Sequence, residues 1–325
     1  MGKKEFIIRR FFMIILSWWI IVTMLFCLFR MVPGDPTLTL VDPAASEAER
    51  NQTRKIYGLD KPQYTQYIIY IEKLIKGDFG KSFVYGKSVL EVIADKFWNT
   101  IILMFSYGLF AYLFGFLGGM IFAWKRGSAF ENIGIFVTLV LRCAPVFWTG
   151  MLAVIIFAEK LDWFPFAGMR SVGYSANTLS QKFLSFDFLW HLTLPVLVSG
   201  LYYMGLPLLL LRNSMLEVMH EDYIEIARAK GLSEFKVMLK HCARNAVLPI
   251  VTDAALFMGW AMGGQVIVEY VFSWPGLGNE IVMATMRHDY PLAQGAFFII
   301  AMTVTIMNFI ADLTYGYLDP RIVYK

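Results

Sequence analysis

Long apolar runs alternate with polar stretches along most of this chain. A helix needs about 20 mostly apolar residues to cross the hydrocarbon core of a membrane. Six runs reach about that length, namely 11–29, 100–123, 133–158, 190–211, 248–270 and 292–317. The pattern predicts an all-α polytopic integral membrane protein with six transmembrane helices.

The predicted spans divide the chain into four parts. Residues 1–30 hold the N-terminal tip and the first span, and residues 31–98 form a long polar insertion. Residues 99–318 form a five-helix core that contains a polar loop at 213–247, and residues 319–325 form a tail.

The insertion contains a predicted amphipathic helix at 64–75. Its apolar residues recur at helical spacing and are Tyr67, Ile68, Ile71, Leu74 and Ile75. Asp60 is the expected N-cap, with Pro62 at an early helical position. Such a helix either lies on the membrane surface or offers a docking surface to an external partner.

The loop at 213–247 has the pattern of two short helices. The first is predicted from Ser214 to Lys230, and Gly231 suits the left-handed position that ends a helix. Ser233 can cap the second helix, and Glu234 adds a favourable charge at its N-terminus.

The first of these loop helices carries charge in a regular pattern. Glu221 and Glu225 are four residues apart and share a face, and Arg228 lies three residues beyond Glu225. One interpretation is a solvated polar loop. The other, which the Ala and the terminating Gly favour, is a shaped knob that a partner outside the membrane grips.

Three charged residues fall inside predicted spans: Arg142 in the third, Asp253 in the fifth and Asp312 in the sixth. Charges inside a membrane are rare and are usually paired or face a cavity. We expect Arg142 to pair with Asp253 or Asp312. In the alternative, the carboxylates reach interfacial water and Arg142 snorkels.

Composition and charge agree with a membrane protein. Hydrophobic residues make up 58% of the chain and charged residues 17%, against roughly half and a quarter in soluble domains. With the N-terminus inside, the predicted cytoplasmic pieces hold fourteen Lys and Arg residues and the two short outer loops hold four. This bias predicts that both termini are cytoplasmic, and the net charge of +4 reflects topology and implies no nucleic acid.

The sequence carries little sign of an ATP, metal or catalytic site. Gly80-Lys81-Ser82 and Gly86-Lys87-Ser88 lack the first glycine of a phosphate-binding loop, so we expect no ATP site. The adjacent pair His241 and Cys242 cannot share one helix face, so we expect no metal site there. No catalytic constellation is visible.

Gly115 with Gly119, and Gly259 with Gly263, have the spacing of close helix packing, while Pro145 and Pro207 predict kinks.

The polar loop resembles that of the permease subunits of ABC importers. Those loops follow a pattern of Glu-Ala-Ala, three residues and Gly, with Leu-Pro further on. Here the pattern is Glu225-Ile226-Ala227, Gly231 and Leu248-Pro249. Two departures are the Ile226 in place of the first Ala and a longer gap before Leu-Pro.

The resemblance extends over nearly the whole chain to the peptide and nickel subgroup of these importers. The long insertion after the first span is similar to that of the first, or B-type, permease subunit. The matching segments, in order, are 31–36, 57–62, 77–82, 241–245, 269–278, 287–291 and 319–321.

The resemblance implies a function and a set of partners. The chain would be half of a translocation path in the cytoplasmic membrane of a prokaryote, beside a homologous second permease. Two cytoplasmic ATPase subunits would bind ATP and Mg, and an extracytoplasmic solute-binding protein would deliver the cargo. The permease itself would bind no cofactor. The residues expected to couple to the ATPase are Glu221, Asp222, Tyr223, Glu225, Ala227, Arg228, Ala229 and Gly231.

The cargo expected from the resemblance is a short peptide, with nickel chelates or another small solute as alternatives. An ion-driven secondary transporter would usually show internal repeats, and none is visible. A membrane enzyme would need a nucleophile with a base or a metal motif, and His191 has no apparent companion. A structural or channel role would leave the charged knob unexplained.

Overall fold

A computed structural model of the chain describes residues 3–31, 47–56, 60–174 and 178–318. The first half contains α1 (Lys3–Met31), α2 (Glu47–Ile56), α3 (Gln63–Ile75), α4 (Val89–Trp124), α5 (Ala129–Cys143) and α6 (Val146–Ala153). The second half contains α7 (Leu179–Leu184), α8 (Phe186–Val218), α9 (Asp222–Ala229), α10 (Glu234–Lys236), α11 (Arg244–Ala246), α12 (Leu248–Val271), α13 (Leu277–Met286) and α14 (Tyr290–Leu318). π-helical turns cover Val154–Lys160 and Val237–Ala243.

The predicted helical membrane fold is confirmed. Four helices are long and apolar enough to cross a membrane, namely α1, α4, α8 and α14. Two bent helix pairs, at 129–160 and 248–271, bring the number to six if each pair is one span. Helix α4 begins at Val89, ten residues before the predicted start of the core, so the insertion ends within a helix.

The third predicted span is broken, not merely kinked. Its two halves, Ala129–Cys143 and Val146–Lys160, meet at 98°. Pro145 has no backbone N–H, and it pushes the preceding residue out of the helical region. Ala144 accordingly has extended dihedrals, with φ −72° and ψ 131°. The 133–158 run is therefore two helices with different directions.

Glycines allow α4 and α8 to approach closely. A Cβ atom on Gly119 would lie 2.6 Å from the carbonyl oxygen of Leu208, and one on Gly115 would lie 2.9 Å from the Pro207 ring. Gly259 of α12 leaves similar room for Asn308 of α14. The Gly115 and Gly119 pair thus serves helix packing, whereas Gly263 has no neighbour within 4 Å of such a position.

The insertion helix α3 packs on the end of α1. The hydroxyls of Thr23 and Tyr67 are hydrogen-bonded at 2.7 Å, and the Phe26 ring contacts the rings of Tyr67 and Tyr70. The helix confirms the predicted 64–75 element. The predicted Asp60 cap was wrong, because Pro62 occupies the N-cap position and no side chain caps the helix.

A short turn joins the insertion to the core. An antiparallel bridge pairs Lys81 with Ser88, and the Ser82 hydroxyl donates to the buried carboxylate of Asp289 at 2.5 Å. The backbone N–H of Val84 donates to the same oxygen at 3.1 Å. The Ser82 side chain therefore has a structural role, because its hydrogen bond joins two segments that are 207 residues apart.

Some predicted features lie outside the described residues. These are the segment 32–46, which holds most of the first matching motif, the Tyr57-Gly58-Leu59 part of the second motif, and the whole tail 319–325.

Candidate functional site

The connection between α8 and α12, residues 219–247, forms a folded unit. The predicted first helix from Ser214 to Lys230 was wrong as a single element, since α8 continues to Val218 and a separate helix, α9, covers Asp222–Ala229. Residues after Ser233 then run through α10, the π-helical turn and α11 almost without interruption into α12. The unit is a short helix folded back against a longer helical arm.

Buried side chains fix α9 to the base of the bundle. Ile224 and Ala227 are buried, and they join a cluster with Met215 of α8, Val237 and Cys242. Burying an aliphatic side chain of this size stabilises the fold by about 1.5–3 kcal/mol. Cys242 is fully buried in this cluster and packs there, and the same burial raises the pKa of its thiol. Helix α9 therefore cannot leave the bundle without exposing this cluster.

The opposite face of α9 is open and combines acidic with apolar groups. Tyr223 and Ile226 are 40% and 54% exposed, and the acidic residues Glu221, Asp222 and Glu225 are exposed beside them. Partial burial, followed by the nearby Glu221 carboxylate, raises the pKa of the Tyr223 hydroxyl. This surface has the composition of a contact site with an apolar centre and an acidic rim.

The structure separates the eight predicted coupling residues by their exposure, with Arg228 intermediate between the exposed residues and the buried one. Six are exposed and available for contact: Glu221, Asp222, Tyr223, Glu225, Ala229 and Gly231. Ala227 is only 4% exposed and packs inside the chain, so any part it takes in coupling would be through the cluster that holds α9 and not through direct contact. Ile226 was not among the predicted coupling residues, but it is exposed on the same face; an Ile where related loops have Ala is the signal that could have singled it out.

A glycine turn follows α9. Gly231 has φ +75°, and no atom lies within 4 Å of the position a Cβ would take. Across the turn, the Arg228 Nε atom donates to the Glu234 carboxylate at 3.0 Å, so Arg228 pairs with Glu234. Both side chains are substantially exposed, and such pairs contribute about 0–1 kcal/mol. The backbone of Gly231 is thus the main determinant of the turn.

A buried ion pair joins α8 to α5 beside this connection. The Glu131 carboxylate is almost fully buried and accepts from Arg212 Nε at 2.8 Å and Nη2 at 2.5 Å. The Gly127 N–H donates to its second oxygen at 2.5 Å. Removing one partner of a buried pair is strongly destabilising, because it leaves the other charge uncompensated. The start of α5 is therefore fixed to the end of α8.

Four helices enclose a polar cavity of about 130 Å³. Its lining comes from α4, α5, α8 and α12, and consists of Tyr112, Arg142, Tyr202, Tyr203, Leu206, Asp253 and Phe257. The Tyr112 hydroxyl donates to the Asp253 carboxylate at 2.7 Å. Arg142 and Asp253 thus face one cavity, although no ion pair within 4 Å joins them among the described residues.

Asp312 has a different partner from the expected one. Arg10 of α1 lies 2.9 Å from its carboxylate, so α1 and α14 are joined at this level. The prediction that Arg142 could pair with Asp312 was therefore wrong. Arg142 itself lies in the last turn of α5, where a positive charge interacts favourably with the helix dipole.

A second buried carboxylate organises the opposite end of α12. Glu269 is fully buried and accepts from the Thr100 hydroxyl at 2.6 Å and the Asn279 N–H at 3.0 Å. Thr100 in turn accepts from the Leu277 N–H at 2.8 Å. The carboxylate thus holds α4, the end of α12 and the start of α13 together. The sequence showed the 269–278 motif but not this role.

In the described ranges, the side chains that commonly bind metals do not form a cluster. Among these residues, no group of three or more His, Cys, Asp or Glu side chains could hold a metal ion. His191 is buried and its Nδ1 atom lies 2.7 Å from the Asp187 carbonyl oxygen.

Family models match almost the entire chain. The binding-protein-dependent transport system inner membrane component model matches residues 115–324. The model for the N-terminal part of such membrane components matches residues 3–104. The boundary between the two matches falls within α4, so the N-terminal match covers the insertion and the other covers α8, α12 and the connection between them.

Three relatives match over nearly their full length. The oligopeptide transport system permease AppB of Bacillus subtilis is 37% identical, over 98% of this chain and 99% of its own. The di/tripeptide transport system permease DppB of Pseudomonas aeruginosa is 35% identical, over 99% of both chains. The dipeptide transport system permease DppB of Escherichia coli is 34% identical, also over 99% of both chains. This chain therefore belongs to the family of binding-protein-dependent transport system inner membrane components, the permease subunits of ABC importers.

Proposed function

We propose that this chain forms half of the membrane path of an ATP-driven importer of short peptides. It would act with a homologous second permease, two cytoplasmic ATPase subunits and an extracytoplasmic solute-binding protein. ATP and Mg would bind to the ATPase subunits. The three relatives named as peptide permeases support the cargo class.

The observation that carries the coupling mechanism is the two-sided character of α9. Its inner face is held by the cluster around Ile224 and Ala227, while its outer face presents Tyr223, Glu225 and Ile226. We infer that an ATPase subunit receives this outer face in a groove with an apolar floor and basic rim. When the ATPases close on ATP, the groove would move α9, and the packed cluster would carry the movement into α8 and α12.

The positive residues in the predicted inner pieces support an orientation with α9 and both termini in the cytoplasm. The 31–98 insertion would then face the solute-binding protein or the outer membrane surface. Hydrolysis would reset the spans from outward-open to inward-open.

The cavity around Arg142 and Asp253 would contribute to the path. At about 130 Å³, it is smaller than the roughly 300–1,000 Å³ of a typical ligand pocket. We therefore infer that it is one wall of a larger space that the second permease completes. Its three tyrosines and two opposite charges suit the polar backbone and charged ends of a peptide.

We expect Arg142 and Asp253 to act as an electrostatic pair across this cavity. Arg142→Asp and Asp253→Arg should each abolish uptake, because each leaves two like charges facing the same small space. The double exchange should recover part of the uptake, since opposite charges again face each other. Labelled peptide uptake into proteoliposomes is the measurement.

The matched control exchanges Arg142 with Asp312. Because Asp312 is paired with Arg10, this exchange should recover nothing. If the Arg142 and Asp253 exchange is as inactive as its single variants, the electrostatic pair is not supported.

Reconstitution tests the function itself. The chain and the subunits that purify with it are placed in proteoliposomes, and uptake of labelled di- and oligopeptides is measured with and without ATP. We expect peptide uptake only with ATP, the ATPase subunits and the binding protein present. Uptake by the chain alone, driven by an ion gradient, would refute the proposal. Uptake of a nickel chelate but of no peptide would retain the importer class and reject the peptide cargo.

A further inference from the structure

A cavity of about 540 Å³ lies where the insertion meets the ends of α1 and α14. Its wall is built from the last turn of α1, from α2 and α3, from the 78–83 turn and from the start of α14. The cavity is distinct from the one around Arg142 and Asp253, and its volume falls within the range of small-ligand pockets. It is not used by the coupling mechanism.

The charge of this cavity is strongly positive. Five basic side chains line it, namely Arg30, Lys55, Lys61, Lys73 and Lys81, against a single acidic one, Asp78. None of the five makes an ion pair within the described part of the chain. Asp78 is already engaged by the Gly80 N–H at 2.9 Å. Like charges gathered in one cavity repel one another, so an anion would relieve this repulsion.

The other walls are aromatic. They include the rings of Phe29, Tyr70, Phe79, Phe83 and Tyr290. Arg30 also lies over the Phe26 ring at 5.3 Å from its centroid. Basic groups beside aromatic ones suit a ligand that has both an anionic and an apolar part.

The position of the cavity on α1 indicates the source of such a ligand. The helix face that carries Arg30 continues along α1, at helical spacing, through exposed residues that are Cys27, Ile20, Leu16 and Phe12. In a membrane, an open apolar face of this kind is a surface that acyl chains can cover. A phospholipid with its headgroup among the basic residues could therefore lay its acyl chains along α1.

We propose that this cavity binds the phosphate headgroup of an anionic phospholipid. The shared chemistry is a phosphate anion, and a free phosphate is the other source. The exposed apolar face of α1 favours the lipid, because free phosphate gains nothing from it. This site is independent of the cargo and of the ATPase contact.

Native mass spectrometry of the full-length chain, isolated in detergent with its accompanying subunits and stripped of lipid, tests the proposal. Phosphatidylglycerol is compared with phosphatidylcholine of the same acyl chains. We expect retention of phosphatidylglycerol over phosphatidylcholine. Each lysine near an anionic lipid surface raises the binding affinity about fivefold. The double variant Lys73→Gln with Lys81→Gln should therefore weaken phosphatidylglycerol binding about 30-fold.

The control is Lys76→Gln with Lys87→Gln. These lysines lie in the same region, but they pair with Glu72 and Glu91 outside the cavity, so binding should change by less than about twofold. Unfolding temperatures without lipid verify that both double variants are folded.

Four results would overturn the proposal. The first is equal retention of the two lipids, and the second is equal loss in the test and control variants. The third is full competition by inorganic phosphate, which would make a free anion the ligand. Loss of binding-protein association without loss of phosphatidylglycerol binding would also overturn it, and would assign the cavity to a protein partner.

Discussion

Gly231→Val is expected to abolish ATP-driven uptake while the chain still inserts in the membrane. The residue has φ +75°, and a side chain in this left-handed region costs about 1–2 kcal/mol per residue, more for a β-branched one. No atom lies within 4 Å of a Cβ there, so the strain would be relieved by a changed turn angle and not by a shifted neighbour. A changed angle would displace the exposed face of α9 relative to an ATPase groove. Peptide uptake and ATP hydrolysis are measured together.

The matched control is Gly173→Val. Gly173 has φ +86° and also has no neighbour within 4 Å, so the conformational cost is the same at a site remote from α9. Uptake should remain in this variant. Glu225→Lys tests the contact face without touching the turn, and it should also abolish uptake by reversing an exposed charge. Normal uptake in both Gly231→Val and Glu225→Lys would contradict the coupling assignment.

Glu269→Ala is expected to have the largest effect on stability. The carboxylate is fully buried and accepts from Thr100 and from the Asn279 N–H. Each buried donor left without an acceptor costs about 1–3 kcal/mol, so we expect a loss of roughly 2–6 kcal/mol. The carboxylate fills the space beside Gly276, where a Cβ atom would lie 2.4 Å from it, so the cavity left by truncation would add to this loss. Thermal unfolding in detergent gives the measurement.

Glu269→Gln provides an intermediate variant, because its amide oxygen can still accept one hydrogen bond. Its loss should be smaller than that of the Ala variant. Glu72→Ala serves as a surface control, since Glu72 is exposed and, among the described residues, its carboxylate pairs with Lys76 alone; the change in stability should be within about 0.5 kcal/mol. An unfolding temperature of Glu269→Ala equal to that of Glu72→Ala would refute the anchoring role.

Local features of this protein could be predicted from its sequence. The apolar runs gave the membrane helices, the spacing at 64–75 gave α3, and Gly231 gave the turn after α9. Each of these depends on residues close together in the chain. Helical periodicity and the conformational freedom of glycine act locally, so a single sequence is sufficient for them.

Contacts between distant segments could not be predicted. The Ser82 contact with Asp289 and the Arg10 pair with Asp312 each join segments that are far apart in the chain. The bend at Pro145 is much larger than the predicted kink, because a proline in an apolar run permits anything from a kink to a right-angle turn. The burial of Ala227 depends on how α9 folds back onto α8, which the spacing within α9 does not determine.

In the proposed coupling, the length of α8 sets how far a tilt at its α9 end moves its other end. Its 33 residues form a rod of about 50 Å, so a tilt of about 5° at one end shifts the other by roughly 4 Å. Because the Glu131 and Arg212 pair fastens α5 to this rod, a small rotation would sweep both helices as one rigid body. Gates at the far side could then open without any helix unwinding.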